Sequence, residues 1–195
     1  MLKKLVLSMM FFLISAALVA CNMNQRDHHP SHMENQEAAP ASEVAIETMD
    51  VNLINTKGET IGEARLTQQE NGVKIKVTAK SLPPGRHGFH IHDVGKCEQP
   101  DFQSASGHFN PFDRQHGVKN PKGPHAGDLP NIEVGKDGKV NTEVFASLVT
   151  LQEGKQNSLL DMDGTSLIIH EKPDDYITDP SGNAGERIAC GAIQK

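Results

Sequence analysis

The most regular alternation of apolar and polar side chains runs from Gly72 to Lys80, where Val73, Ile75, Val77 and Ala79 interleave with Lys74, Lys76, Thr78 and Lys80. Successive side chains of an extended strand point to opposite faces, so a period of two predicts a strand with one buried and one solvated face. Asn71-Gly72 precedes it, a pair suited to the positive φ of a tight hairpin turn. Shorter runs predict further strands at Ala45–Ile54, Thr60–Leu66, Gly88–His92, Asp128–Val134, Lys139–Phe145, Ser166–His170 and Arg187–Ile193, with Asp137-Gly138 as a second tight turn. Eight short strands and no sustained helical stripe past the N-terminal segment predict an all-β fold, an antiparallel barrel or sandwich.

Two stretches break the strand rhythm, Gly95 to Ala126 and Lys172 to Glu186, and both are rich in Pro, Gly, Asn, Asp and Ser. Long irregular loops inside a domain usually carry function. The first holds Cys97, His108, His116 and His125, so metal and disulfide cross-links are expected to stand in for a hydrogen-bond ladder.

The N-terminus reads differently. Lys3 and Lys4 precede an apolar run from Leu5 to Ala20, and Leu18-Val19-Ala20-Cys21 reads as a bacterial lipoprotein signal with an acylated cysteine. A short membrane anchor is the alternative, but the run is brief for a span. Residues 1–20 are then a signal peptide, and residues 21–44, nearly free of large apolar side chains, a flexible polar tether. His28, His29, His32 and Met33 give that tether copper or zinc donors, though a solvated linker is the preferred reading. Residues 45–195 suffice for one domain.

Removing Lys3 and Lys4 with the signal takes the formal charge from −6 to −8, which argues against nucleic acid as a partner. Export also places the chain where disulfides persist, and Cys97 and Cys190 are the remaining thiols, so pairing is expected, with two buried free cysteines as the alternative. Such a bridge closes a long loop, for which the chain-entropy model gives roughly 4–5 kcal/mol.

Candidate chemistry starts with His90 and His92, which a strand projects from one face with Cα atoms ~6.6 Å apart. With His108, His116, His125, Asp128 and His170 they supply donors for two adjacent metal ions. Three imidazoles and a carboxylate suit tetrahedral zinc, and imidazole also suits copper. Each residue alone has a plainer reading: a structural His-x-His, surface histidines in a loop, a core histidine after Leu167-Ile168-Ile169, a solvated Arg187. Taken jointly and in this order, the histidines read as ligands. His87 is expected to play a structural hydrogen-bonding role, because it sits an odd number of positions from the ligand face.

Gly88-Phe89-His90-Ile91-His92, Gly107-His108-Phe109-Asn110-Pro111, His125-Ala126-Gly127-Asp128-Leu129 and Gly182-Asn183-Ala184-Gly185-Glu186-Arg187-Ile188-Ala189-Cys190-Gly191 closely resemble the copper/zinc superoxide dismutases in their bacterial exported form, from about residue 45 to the C-terminus. The resemblance implies an eight-stranded antiparallel Greek-key β-barrel, an immunoglobulin-like sandwich with two long functional loops. It implies copper on His90, His92, His108 and His170, and zinc on His108, His116, His125 and Asp128, with His108 bridging. Asp174 matches the carboxylate that joins a copper histidine to a zinc histidine, here His90 and His116. Superoxide would give an electron to Cu(II) and leave as oxygen, and a second would take it back and leave as hydrogen peroxide, with His108 as ligand and proton carrier. Arg187 matches an arginine that guides the anion to copper. Lys119, Lys122 and Lys172 are the candidates for steering, since Tyr176 to Asn183 contains Asp179 but no lysine. The implied setting is extracytoplasmic, membrane-anchored through Cys21, as a monomer or homodimer. The alternative is a non-catalytic metal-buffering lipoprotein on the same fold.

Overall fold

Alternation along the chain becomes rows across a sheet. In β1 (Thr48–Asn55), β2 (Thr60–Gln69), β3 (Gly72–Ala79) and β7 (Val140–Ala146), Val51 faces Ala64 and Ala64 faces Val77, while Met49, Leu66, Ile75 and Val144 form the next row. Val51, Ala64, Leu66, Ile75, Val77 and Val144 are all buried, and Lys76 and Glu143 on the other face are exposed. The computed structural model describes residues 47–195. The expected signal peptide (1–20), the tether (21–44) with Cys21, His28, His29, His32 and Met33, and the first residues of the expected first strand lie outside the described residues.

The other half is built from β4 (Gly85–His87), β5 (Phe89–His92), β6 (Ile132–Val134), β8 (Thr165–His170) and β9 (Arg187–Ile193). Seven strands form one antiparallel sheet in the order β5-β8-β9-β1-β2-β3-β7, and β4 pairs with β6. Because β4 runs on into β5 and β6 turns into β7, that short pair joins the two edges of the large sheet and closes a barrel. The β6–β7 turn is the expected one at Asp137-Gly138, with Gly138 at φ +74° and the Gly135 amide donating to the Lys139 carbonyl. The β3–β4 and β7–β8 connections join strands that are not neighbours, which is Greek-key topology.

Among the described residues nine strands form where eight were expected, because the chain changes partners at Gly88. Its amide donates to the Lys172 carbonyl and its own carbonyl accepts from the His170 amide, so pairing passes from β6 to β8 at that residue. A Cβ there would lie 2.9 Å from that of Ala184, so only glycine fits the crossing. β6 is shorter than the expected Asp128–Val134: Pro130 has no ladder donor, and Asp128 makes a single bridge to His90 instead.

β5 and β8 are buried on both faces, consistent with the unbroken run Leu167-Ile168-Ile169. Phe89, Ile91, Leu167 and Ile169 enter the barrel core. Ile168 points outward, into a second cluster with Phe102, Ala105 and Cys190 beneath the long β5–β6 loop. Cys97 and Cys190 form the expected disulfide, fastening that loop to β9. The loop also contains a 3-10 turn, Gln103–Ala105, which the sequence pattern does not predict.

Candidate metal centre

β5 is an edge strand of the large sheet, and an edge recruits backbone partners. The Ile91 amide donates to the Gly127 carbonyl and the Ile91 carbonyl accepts from the Phe109 amide. A Cβ on Gly127 would approach the Ile91 carbonyl to 2.2 Å, so a glycine lets the loop lie this close. The consequence is positional: His108 is set beside His92 and Asp128 beside His90.

Three groups of ligating atoms result: His90, His92, His108 and His170; His108, His116, His125 and Asp128; and His90, His116 and Asp174. Within each group the atoms lie within 4.8 Å of one another. His108 belongs to the first two, with its ring centroid 4.1 Å from that of His90, 5.0 Å from His92, 5.1 Å from His116 and 5.5 Å from His125.

The hydrogen bonds fix which nitrogen of each ring faces inward. In the first group His90 Nε2 bonds Asp174 Oδ2 (2.9 Å), His92 Nδ1 the Ser106 carbonyl (2.9 Å), His170 Nδ1 the Gly185 carbonyl (3.2 Å) and His108 Nδ1 Asp128 Oδ1 (2.9 Å). The opposite nitrogens are left facing one another. His92 Nε2 and His170 Nε2 are 3.4 Å apart, and His90 Nδ1 and His108 Nε2 are buried with no hydrogen-bond partner. Buried polar atoms without partners are rare, and four imidazoles each anchored through the far nitrogen form the outer-shell pattern of a metal site.

The second group converges on one oxygen. Asp128 Oδ1 lies 2.9 Å from His108 Nδ1, 3.0 Å from His116 Nδ1 and 3.2 Å from His125 Nδ1, while Oδ2 accepts from the amides of Gly117 (2.8 Å) and His125 (2.9 Å). Three imidazole nitrogens around one carboxylate form a zinc-type donor set. Asp174 spans the two groups, taking His116 Nε2 on Oδ1 (3.0 Å) and His90 Nε2 on Oδ2.

Electrostatics divide the groups in the same way. Burial pushes the imidazole of His92 well below its ordinary value, that of His108 down to about 4 and that of His170 down to about 3. It lowers His90 as well, against its hydrogen bond to Asp174. These rings are neutral at pH 7, with lone pairs available to a cation. For His116 burial opposes the charge, but hydrogen bonds to Asp128 and Asp174 outweigh it and push the group up to about 9. Burial raises the Asp128 and Asp174 carboxyls, yet their histidine partners hold both far below the usual carboxylate range.

Several supporting residues stand outside the expected donor set. Asn131 takes the Asp174 amide on Oδ1 (2.8 Å), donates Nδ2 to the Asp174 carbonyl (2.9 Å), and its own amide meets the Tyr176 hydroxyl (2.8 Å). Asp179 accepts from the His116 amide (2.6 Å). Gly182, at φ +62°, has no room for a Cβ, which would lie 1.8 Å from Asp174 Oδ1 and 2.7 Å from His116 Nε2. Gly182→Ala is therefore expected to part Asp174 from His116 and weaken metal affinity of the His116 group about 10–100-fold, measurable by chelator competition.

His87 lies outside all three groups. Its ring nitrogens meet the carbonyls of His170 and Pro83, each at 2.8 Å, the structural role expected. Arg187 is half-buried at the rim of a cleft of about 990 Å³ that reaches His92, His108, His125 and His170. Nη1 donates to the Phe102 carbonyl and Nη2 to the Ser106 carbonyl, both at 2.6 Å. Two of its five donors are thus spent on holding the guanidinium still.

A family model described as copper/zinc superoxide dismutase matches residues 60–193. The chain is 55% identical over 143 residues to superoxide dismutase [Cu-Zn] 1 of Aquifex aeolicus, covering 73% of this chain and 85% of the relative. It is 41% identical over 189 residues to the superoxide dismutase-like protein YojM of Bacillus subtilis, covering 96% and 95%. Among solved structures, a Cu/Zn superoxide dismutase from Brucella abortus superposes with a TM-score of 0.61 at 31% identity, over 75% of this chain and 99% of that one. With its barrel, its paired donor groups and these relatives in agreement, the chain belongs to the copper/zinc superoxide dismutase family.

Proposed function

We propose that the protein is a superoxide dismutase that holds copper on His90 Nδ1, His92 Nε2, His108 Nε2 and His170 Nε2, and zinc on His108 Nδ1, His116 Nδ1, His125 Nδ1 and Asp128. The observation that carries the reading is His108, whose Nδ1 meets the Asp128 group while its buried Nε2 has no partner and looks toward the other imidazoles. Copper held there would supply a one-electron couple, by which one superoxide would be oxidised to oxygen and a second, gaining that electron and two protons, would become hydrogen peroxide. The protein residues do the rest. Ser106, Gly185 and Asp174 keep the donor nitrogens aimed inward. Arg187 offers a fixed cation to an anion in the cleft, and Asp128 keeps His108 oriented from its far side.

The non-catalytic alternative, a metal-buffering relative, is expected to lack a copper ligand or the arginine. The presence of His90, His92, His108, His170 and Arg187 together supports the enzyme. By the same proposal residues 1–20 are a signal, 21–44 a tether acylated at Cys21, and 45–195 the catalytic domain, which puts the enzyme outside the cytoplasm on the membrane surface. The Cys97–Cys190 bridge favours that oxidising setting. The direct experiment is metal analysis of the mature chain together with a superoxide-consumption assay. One copper, one zinc and rapid turnover support the proposal, and a metal-loaded protein without turnover overturns it.

Two further outcomes follow. Zinc must displace the proton that His116 carries below about pH 9. Binding near neutral pH is thus expected to release about one proton and to strengthen as pH rises toward that value, as read by calorimetry in buffers of different ionisation enthalpy. Arg187→Ile is expected to lower the dismutation rate about tenfold and to flatten its ionic-strength dependence, with both metals retained.

A further inference from the structure

The lysines considered for steering do not line the cleft. Lys172 Nζ sits 3.9 Å from Glu171, and Lys119 lies over the Tyr176 ring. Among the described residues, the Asp, Glu, Lys and Arg side chains in the cleft wall are Asp101, Glu186 and Arg187. Both carboxylates are exposed and Arg187 is half-buried, so the cleft wall sets two solvent-facing negative charges beside one partly covered positive charge. Asp101 is held in place, with Oδ1 accepting from the Gln103 amide (3.1 Å), and it adjoins Phe102, whose carbonyl fixes Arg187 Nη1. Glu186 immediately precedes Arg187, and its carbonyl is tied to the Glu171 amide (2.7 Å). An anion-consuming site with two acids at its entrance forgoes attraction, and that loss needs a reason.

Resting on the reading of the centre as one that consumes superoxide, we propose that Asp101 and Glu186 form a charge filter, specificity-determining residues that admit singly charged anions and turn away doubly charged ones. The physical basis is linear: Coulomb energy scales with the charge of the visitor, so a fixed carboxylate costs a dianion twice what it costs a monoanion, and the factor in affinity is squared. A bare pairing of bound metals with a guanidinium attracts sulfate- or phosphate-like dianions more strongly than superoxide. Two carboxylates at the rim correct that ranking at a modest loss of superoxide capture.

Asp101→Asn and Glu186→Gln, made singly and together in the copper- and zinc-loaded protein, test this at constant ionic strength. Azide affinity is read from the copper absorption band and sulfate affinity from competition with azide. Neutralising one carboxylate several ångströms from the anion in a high dielectric is expected to raise azide affinity about twofold and sulfate affinity about fourfold. The double variant is expected to reach about fourfold and about sixteenfold. Superoxide consumption should rise with the azide factor, while metal content and Tm stay at the wild-type values, as befits exposed side chains. Equal gains for azide and sulfate, or no gain for either, overturn the filter, because a structural role for these residues gives no dependence on anion charge. A wild-type protein that binds azide yet consumes no superoxide overturns the dismutase reading instead, and the azide-to-sulfate comparison still decides the filter.

Discussion

His170→Ala is expected to abolish superoxide consumption while zinc stays bound. Among the donors, His170 belongs to the first group alone, and its ring is anchored through Nδ1 to the Gly185 carbonyl so that Nε2 faces His92. Removing the ring leaves three imidazoles and opens the position to water from the cleft. Outer-shell losses already cost 10–100-fold in affinity or activity, so the loss of a ligand itself should exceed about a hundredfold. The zinc group should not respond, because His108, His116, His125 and Asp128 are held by one another and by the Gly117 amide. Metal analysis and a superoxide assay on the purified variant check both halves. Full activity contradicts the copper assignment, and loss of zinc alongside copper contradicts the independence of the two groups.

Replacing Cys97 and Cys190 together by serine is expected to have the largest effect on stability. The bridge closes a loop across 93 positions, for which chain entropy gives roughly 4–5 kcal/mol, a fall in Tm of roughly 10 °C or more in thermal melts. The consequence for the site is selective. The fastened loop carries the Phe102 and Ser106 carbonyls, and Ser106 accepts from both Arg187 Nη2 and His92 Nδ1. Loosening it should cost copper affinity more than zinc affinity, since the zinc group draws its outer contacts from Gly117, Asp174 and Asp179. Competition titrations with each metal on the serine variant read this difference, and equal losses contradict it.

What the sequence made legible and what it hid divide along a physical line. The β3 strand was plain because one face packs in the core and the other meets water, which writes a period of two into the residues. β9 matched its expected bounds, Arg187–Ile193. The extra strand β4, just before the expected Gly88–His92 strand that forms as β5, is not legible, because a change of partner at Gly88 is a tertiary event with no local pattern. The 3-10 turn at Gln103–Ala105 was missed for a related reason: it lies in a loop held by the disulfide, not by its own propensity.

For the site, the donor side chains were legible because imidazoles and carboxylates are chemically conspicuous and their motifs match those of a known family. The atoms that orient them were not. Ser106 and Gly185 act through backbone carbonyls, which every residue has, so identity carries no signal. Asn131 and Asp179 act across long stretches of chain on the backbone of Asp174 and His116. Gly182 matters for a side chain it lacks. Charge misleads as well: lysines are the expected guides for an anion, yet the cleft wall carries Asp101 and Glu186 beside Arg187.

The most direct measurement is a crystal structure of the copper- and zinc-loaded protein with anomalous scattering collected at both metal edges. The account predicts two separate peaks, copper against His108 Nε2 with His90, His92 and His170, and zinc against His108 Nδ1 with His116, His125 and Asp128. A single ion in the centre, or His108 bound to one metal with its other nitrogen turned to solvent, would contradict it.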